Sequence, residues 1–304
     1  MPLHIETPQI PSRPLSLLAG RSVWLKLDAL QPPGSFKIRG VGLACEVHRR
    51  RGARRFVSSS GGNAGLAVAY AGRMLSIPVT VVVPETTSDR AKELLALEAA
   101  EVVVHGASWQ EANELALSMI GASDAFLHPF DDPLLWQGHA TMIDEVCQSG
   151  LKPDAIVLSV GGGGLLSGVA EGLHRNGWGQ VPIVAVETEG AASLHQSMVA
   201  GRLVELQKIT SIATSLGAKR VCERAFQWSS EHPIRSVVVS DRAALSACTR
   251  FLDDHRLLVE PACGASLALA YDKAAELEGF GTVLVIVCGG ATATLGQIKQ
   301  WSEG

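Results

Sequence analysis

The chain has 304 residues, 47 % of them hydrophobic and 18 % charged, which is enough apolar material for one large core or two moderate ones. A formal charge of -4 gives no electrostatic reason to expect nucleic acid or an anionic membrane as a partner. Six scattered cysteines without a CxxC pair, and nine histidines without HxxxH or HxH spacing, speak against a disulfide framework and a catalytic transition metal.

Met1 to Pro14 carries prolines and polar residues where a signal peptide needs an apolar block, and no run approaches the roughly 18 apolar residues of a spanning helix. A cytoplasmic protein acting on a small ligand is expected. Short β-branched runs follow at Val23 to Leu27, Arg55 to Ser58, Val79 to Val83, Val102 to Val104, Ala155 to Val160, Ile183 to Val186, Val237 to Ser240 and Val283 to Val287. Their spacing leaves room for a helix between neighbours, the mark of βαβ units. Several are apolar without alternation, as parallel strands covered on both faces are. Ala- and Leu-rich segments at Ala64 to Met74, Ala243 to Leu252 and Ala262 to Ala275 predict helices. Arg49, Arg50, Arg51, Arg54 and Arg55 lack interleaved aromatics and read as a solvated helix end and turn. The prediction is an α/β protein, with two lobes favoured because ligand sites often lie between lobes.

Four segments carry chemistry. In Pro33-Gly34-Ser35-Phe36-Lys37-Ile38-Arg39-Gly40 a lysine follows a turn and precedes a helical pattern, where the helix dipole would lower its pKa and favour a nucleophilic amine. A lone lysine is otherwise an exposed helix residue. Ser58-Ser59-Ser60-Gly61-Gly62-Asn63-Ala64-Gly65 runs from a strand into a helix. Asn63 is there an ordinary N-cap, or the successive amides form an anion site suited to a carboxylate. Ser159-Val160-Gly161-Gly162-Gly163-Gly164-Leu165-Leu166 repeats the pattern with four glycines. They are hard to explain by packing and fit a phosphate held by backbone N–H groups. The spacing matches neither GxGxxG nor a P-loop. Val285-Ile286-Val287-Cys288-Gly289-Gly290 ends a strand in a cysteine, either a core thiol or one facing the ligand crevice.

In these motifs the chain resembles the fold-type II pyridoxal 5′-phosphate enzymes of the serine dehydratase/threonine deaminase family, nearest the animal-type serine dehydratases. Leu25-Lys26-Leu27-Asp28, Pro129-Phe130-Asp131-Asp132-Pro133-Leu134, Gln137-Gly138-His139-Ala140 and Val259-Glu260-Pro261-Ala262-Cys263-Gly264-Ala265 extend the match over nearly the whole chain. The resemblance implies a two-lobed fold like that of the tryptophan synthase β-chain, each lobe an open, mainly parallel sheet flanked by helices. Residues 1–34 and 133–304 would form the large cofactor-binding domain and 35–132 the small one. It implies that Lys37 carries pyridoxal phosphate as a Schiff base and is the catalytic residue together with Ser60. Phe36 packs on one face of the cofactor ring, with Ser215 near the other. Asn63 meets the phenolic oxygen and Cys288 the ring nitrogen. Ser60, Gly61, Gly62, Asn63 and Ala64 bind the substrate carboxylate, and Gly161, Gly162, Gly163, Gly164 and Leu165 the phosphate. A potassium ion is implied beside that loop, held by Glu187 and the carbonyls of Gly161, Ala191, Leu216 and Ala218, as hard oxygen ligands suit such an ion. A homodimer is implied as well.

The expected reaction is removal of the hydroxyl of L-serine, and of L-threonine, with Lys37 as general base. A thiol at the ring nitrogen, with a reference pKa of about 8.5, pulls less than a carboxylate would and favours prompt elimination over transamination. Two departures stand out: Gly61 where many relatives have alanine, expected to loosen the loop, and Ala291-Thr292 where close relatives often have Ser-Asn. No segment after the catalytic motifs offers an amino-acid-sensing domain, so feedback by isoleucine is not expected. The alternatives are a β-replacement enzyme or racemase of the same fold and, from another class, a non-catalytic cofactor- or amino-acid-binding protein. A binder has no need of the Schiff-base amine.

Overall fold

The computed structural model describes residues 1–303; Gly304, the last residue of the expected large domain, lies outside the described residues. The chain opens with β1 (Gln9–Pro11), α1 (Arg13–Ala19), β2 (Ser22–Lys26) and α2 (Lys37–Arg50). It continues through β3 (Arg55–Ser58), α3 (Asn63–Leu75), β4 (Val79–Val83), α4 (Asp89–Leu97), β5 (Glu101–Val104), α5 (Trp109–Ser118) and β6 (Asp124–Phe126). Next come α6 (Pro133–Gln148), β7 (Ala155–Ser159), α7 (Gly164–Arg175), β8 (Ile183–Thr188), α8 (Ser193–Ala200) and α9 (Glu223–Glu231). The last part holds β9 (Ile234–Val239), α10 (Asp241–His255), α11 (Pro261–Tyr271), β10 (Thr282–Ile286) and α12 (Leu295–Glu303).

These strands form two sheets, a six-stranded one in the order β1-β2-β10-β7-β8-β9 and a four-stranded one in the order β5-β4-β3-β6. Every pairing is parallel except that of β1 with β2. Pro11 sits in that edge strand, where a missing N–H costs no ladder bond. β4 and β7 are buried at every position, because helices cover both faces, and this is why their sequences do not alternate. The smaller sheet uses residues 55–126 and the larger draws on both flanks, so β10 from the end of the chain pairs with β2 from its beginning.

All eight strands predicted from sequence form. β1 and β6, three residues each, are too short and too polar to give a periodic signal. β9 starts at Ile234, three residues before its predicted beginning, since Arg235 and Ser236 interrupt the apolar run. The arginine run falls as expected, with Arg49 and Arg50 exposed at the end of α2 and Arg51 and Arg54 exposed beyond it. Arg55 is the exception: it pairs with Asp124 and donates to the Met119 carbonyl.

Two sets of helix starts contrast. Side chains of Ser12, Ser88, Ser108, Asp132 and Ser240 cap α1, α4, α5, α6 and α10, each satisfying a first-turn amide. α3 and α7 begin at glycine turns, behind Gly62 and Gly163, with no side-chain cap. Their first amides are left for something else.

Candidate active site

Those two uncapped starts face one cavity of about 940 Å³ at the carboxyl ends of the strands of both sheets, where open α/β sheets hold ligands. Lys37, the first residue of α2, reaches into it. Its Nζ donates to the Pro129 carbonyl at 2.9 Å and stands 5.0 Å from the centre of the Phe36 ring. Burial pulls its ammonium down to about 8, against the opposing pull of Cys288, Glu260 and Cys222. The expected lowering is present, with desolvation as its largest cause.

Backbone bonds fix this lysine against the end of β10. Phe36 N donates to the Cys288 carbonyl at 3.1 Å and Gly290 N to the Gly34 carbonyl at 2.9 Å. Phe36 and Cys288 therefore line the same cavity as Lys37. A hydrogen bond with Cys263, together with desolvation, raises the Cys288 thiol far above its ordinary range, so it stays neutral. Behind Phe36 lies His139, fully buried, 4.8 Å from the ring and held neutral by desolvation.

Two strand-to-helix turns complete the floor. After β7, the amides of Gly161, Gly162, Gly163, Gly164 and Leu165 have no protein acceptor among the described residues. Consecutive amides without partners at the start of α7 form an anion cradle. Contrary to the expectation from sequence, packing does account for these glycines. A Cβ on Gly161 would stand 2.9 Å from Leu216 Cα, one on Gly162 2.2 Å from the Phe130 ring, and one on Gly163 2.4 Å from Ala225. Protein neighbours thus demand these glycines on one side while their amides serve the cavity on the other.

After β3, the amides of Gly61, Asn63 and Ala64 are likewise free, and Gly62 N donates to Ser60 Oγ at 3.3 Å. Asn63 is not the N-cap that its position suggested: Gly62 is, and Asn63 is already helical. Its side chain instead crosses the cavity. Nδ2 lies 2.6 Å from Glu260 Oε1 and 3.3 Å from Ser215 Oγ, and Oδ1 accepts from Ala291 N at 3.0 Å. Ser215, in a short 3-10 turn at Thr214–Leu216, lines the same cavity as Phe36. The methyl group absent from Gly61 is replaced in space: a Cβ there would lie 2.8 Å from Thr87 Cγ2.

Glu187, at the end of β8, is fully buried, and its two oxygens accept from Leu194 N at 2.9 Å and His195 N at 2.7 Å at the start of α8. Burial lifts this carboxyl to about 7. Gly161 passes close to Leu216 and the Ser215 carbonyl, and Ala191 and Leu216 are buried in the same large core.

Two groups of functional interest escaped the sequence reading. Glu260, 4 % exposed and open to the cavity, lay within a quoted motif but had no role. Arg39, two residues after Lys37, is fully buried and donates to Asp28 (2.6 and 3.0 Å) and Glu145 (2.6 and 2.8 Å). Lys26 joins the same network through Glu145 and the Thr7 carbonyl. Two buried cations and two carboxylates thus hold α2, and with it Lys37, to β2 and α6. Charged residues in otherwise apolar segments were the available signal.

Comparison with known proteins agrees with this geometry. The family model described as "Pyridoxal-phosphate dependent enzyme" matches residues 1–289. The chain belongs to that family. A Homo sapiens protein named L-serine dehydratase/L-threonine deaminase is 48 % identical over 99 % of this chain and 95 % of its own length. The structure of a fungal L-serine ammonia-lyase from Rhizomucor miehei superposes with a TM-score of 0.95 at 35 % identity, covering 100 % of this chain and 99 % of that one. Maize serine racemase gives 0.90 at 25 % identity, over 99 % and 92 %. The family's cofactor is pyridoxal phosphate, and the residues present fit it: a desolvated amine, an amide cradle beyond it and a neutral thiol, around a cavity large enough for both cofactor and amino acid.

Proposed function

We propose that the chain is an L-serine and L-threonine ammonia-lyase that removes the β-hydroxyl as water, giving pyruvate or 2-oxobutanoate and ammonia. The observation that carries this reading is the desolvated Lys37 amine between two uncapped helix starts, in a chain 48 % identical to a protein of that name. Bound pyridoxal phosphate supplies the electron sink for the charge left on Cα. The rest falls to the chain. The amides of Gly161 to Leu165 would hold the phosphate, Phe36 and Ser215 would flank the ring, Asn63 would donate at the phenolic oxygen and Cys288 would stand at the ring nitrogen. The amides from Ser60 to Ala64 orient the substrate carboxylate. Lys37 Nζ, neutral once freed, takes the proton from Cα, and the same ammonium delivers a proton to the departing hydroxyl. The neutral Cys288 thiol leaves the ring nitrogen without a carboxylate partner, which supports elimination.

A potassium ion is part of this reading. The buried Glu187 carboxylate has amide donors but no cation among the described residues, and a buried charge wants one; the carbonyls of Gly161, Ala191, Leu216 and Ala218 would complete the oxygen set. Replacing potassium by tetramethylammonium is expected to lower both activity and melting temperature. The division into 1–34 with 133–304 and 35–132 is supported by the membership of the two sheets, and limited proteolysis tests it. A cytoplasmic homodimer completes the proposal, its oligomeric state to be read by light scattering. No described helix is long and apolar enough to cross a membrane.

The deciding experiment incubates the holoenzyme with L-serine, L-threonine, D-serine, and O-acetylserine plus sulfide. Keto acid and ammonia from the L-hydroxy amino acids support the proposal. Cysteine formation would assign β-replacement, inverted serine would assign racemisation as in the maize neighbour, and no turnover would leave a binding protein.

A further inference from the structure

We propose that Glu260 is a positioning residue: its carboxyl group orients the Asn63 amide so that a donor, rather than an acceptor, faces the cofactor's oxygen. This rests on the functional reading above. Glu260 stands at the N-cap position of α11 yet makes no capping bond, and at 4 % exposure it is no solvated surface acid. Instead two side chains from two separate segments donate to it. Asn63 Nδ2 donates at 2.6 Å from the start of α3 and Thr292 Oγ1 donates at 3.0 Å from beyond β10. Gly290 makes room: a Cβ there would lie 2.1 Å from Glu260 Cδ.

Burial of a carboxyl group is costly and persists where the group has partners and a task. The task follows from the Asn63 geometry. An amide presents oxygen on one side and two N–H groups on the other. Ala291 N occupies the oxygen of Asn63 and Glu260 occupies one N–H. Exchanging the two ends would set the amide oxygen against the carboxylate and its N–H2 against the Ala291 N–H. The second N–H of Nδ2 is thereby directed along the cavity wall, where its present contact, Ser215 Oγ at 3.3 Å, is long. A donor at that place suits an anionic oxygen; an acceptor would repel it. Glutamine could not replace Glu260 faithfully, since it brings one acceptor and one donor to a point where donors converge. Burial raises the Glu260 carboxyl, while Ser215, Thr292, Asn63 and the nearby Lys37 pull it back.

The test uses holoenzyme of the parent chain and of Glu260→Gln, Glu260→Asp, Asn63→Ala and the double variant Glu260→Gln/Asn63→Ala. Three quantities are read: borohydride labelling of Lys37, the pH midpoint of the bound cofactor's visible band, and kcat and KM for L-serine. Glu260→Gln is expected to keep the Lys37 label, move the midpoint by about one pH unit and lower kcat about 10- to 100-fold, the range for losing one hydrogen bond to a charged group. KM should change less than kcat. Glu260→Asp should give a smaller midpoint shift, and it decides the question if the glutamine variant does not fold. In the Asn63→Ala background, Glu260→Gln should add no further shift, because the intermediary is gone. A labelled Glu260→Gln or Glu260→Asp enzyme with the parent midpoint, or equal shifts with and without Asn63, overturns the proposal. Absence of label on Lys37 in the parent chain would instead bring down the functional reading and this inference together.

Discussion

The two glycine turns that flank Lys37 are alike in sequence and unlike in their surroundings. Each follows a buried parallel strand, and each opens a helix without a side-chain cap. Around the tetraglycine turn, Phe130, Ala225 and Leu216 already occupy the places where side chains would stand. Around Gly62 the nearest atom to a Cβ would be Ser60 Oγ, at 3.9 Å. One turn is moulded from behind by the core of the larger sheet at each of Gly161, Gly162 and Gly163, whereas in the other Gly61 is crowded by Thr87 and Val83 and Gly62 stands over open space. A rigid cradle suits a cofactor's phosphate that stays, and a less confined loop suits a substrate carboxylate that comes and goes.

The largest effect is expected at the amine between the turns. Lys37→Ala should cost at least about 10³-fold in turnover, as the loss of a general base does, and should abolish pyridoxyl labelling after borohydride reduction while leaving circular dichroism unchanged. Full activity in that variant would make the contrast between the turns irrelevant to chemistry. Next come the turns themselves. Gly162→Ala forces a methyl group into the Phe130 ring and should destabilise the protein by about 1–3 kcal/mol, the usual penalty of overpacking. Phe130→Ala in the same chain should recover part of the loss in melting temperature. Gly62→Ala adds its methyl to open space at an extended backbone position (φ -100). It should leave stability within about 0.5 kcal/mol and raise KM for L-serine about tenfold, the effect of one weakened hydrogen bond. Equal losses of stability in the two variants would erase the distinction.

Much of this site was legible because strand-to-turn-to-helix junctions leave a strong local mark: Ser159 to Leu166 and Ser58 to Gly65 read as apolar run, glycines, helix former. The less visible part depends on where distant segments meet. Nothing near Gly162 in the sequence tells of Phe130, thirty-two positions earlier, so its glycine was assigned wholly to a ligand. Asn63 looked like an N-cap because it stands where caps stand, and only the meeting of α3 with Glu260 and Ala291 removes it from that role. The short strands β1 and β6 form because neighbours in the sheets offer them an edge, a tertiary cause that three residues cannot announce.

A smaller, graded effect comes from pH. In the cofactor-free chain the Lys37 ammonium titrates at about 8, and only the neutral amine attacks an aldehyde. The rate of pyridoxal phosphate capture should therefore rise through pH 8 and level off above it. The sign for stability follows from the same shift. Between about 8 and 10.5 the unfolded chain holds the proton that the folded chain has released, so stability attributable to Lys37 rises with pH across that window. A capture rate flat from pH 7 to 9 would mean that the amine is not desolvated.

The smallest effect is expected at Gly61, where the comparison becomes finest. A glycine in place of alanine suggested a looser loop, but Thr87 Cγ2 lies 2.8 Å and Val83 Cγ1 3.1 Å from where the missing methyl would sit, so the volume is filled from α4's approach rather than left empty. Gly61→Ala alone should then overfill the space and reduce kcat/KM for L-serine by no more than about tenfold, equivalent to roughly 1.4 kcal/mol. Adding Thr87→Ser removes the competing methyl group and should return kcat/KM toward the parent value, a compensation that contact between the two positions requires. If Gly61→Ala instead raised activity and Thr87→Ser did nothing further, the loop would be underpacked after all. The small-sheet turn would then be loose by composition as well as by position.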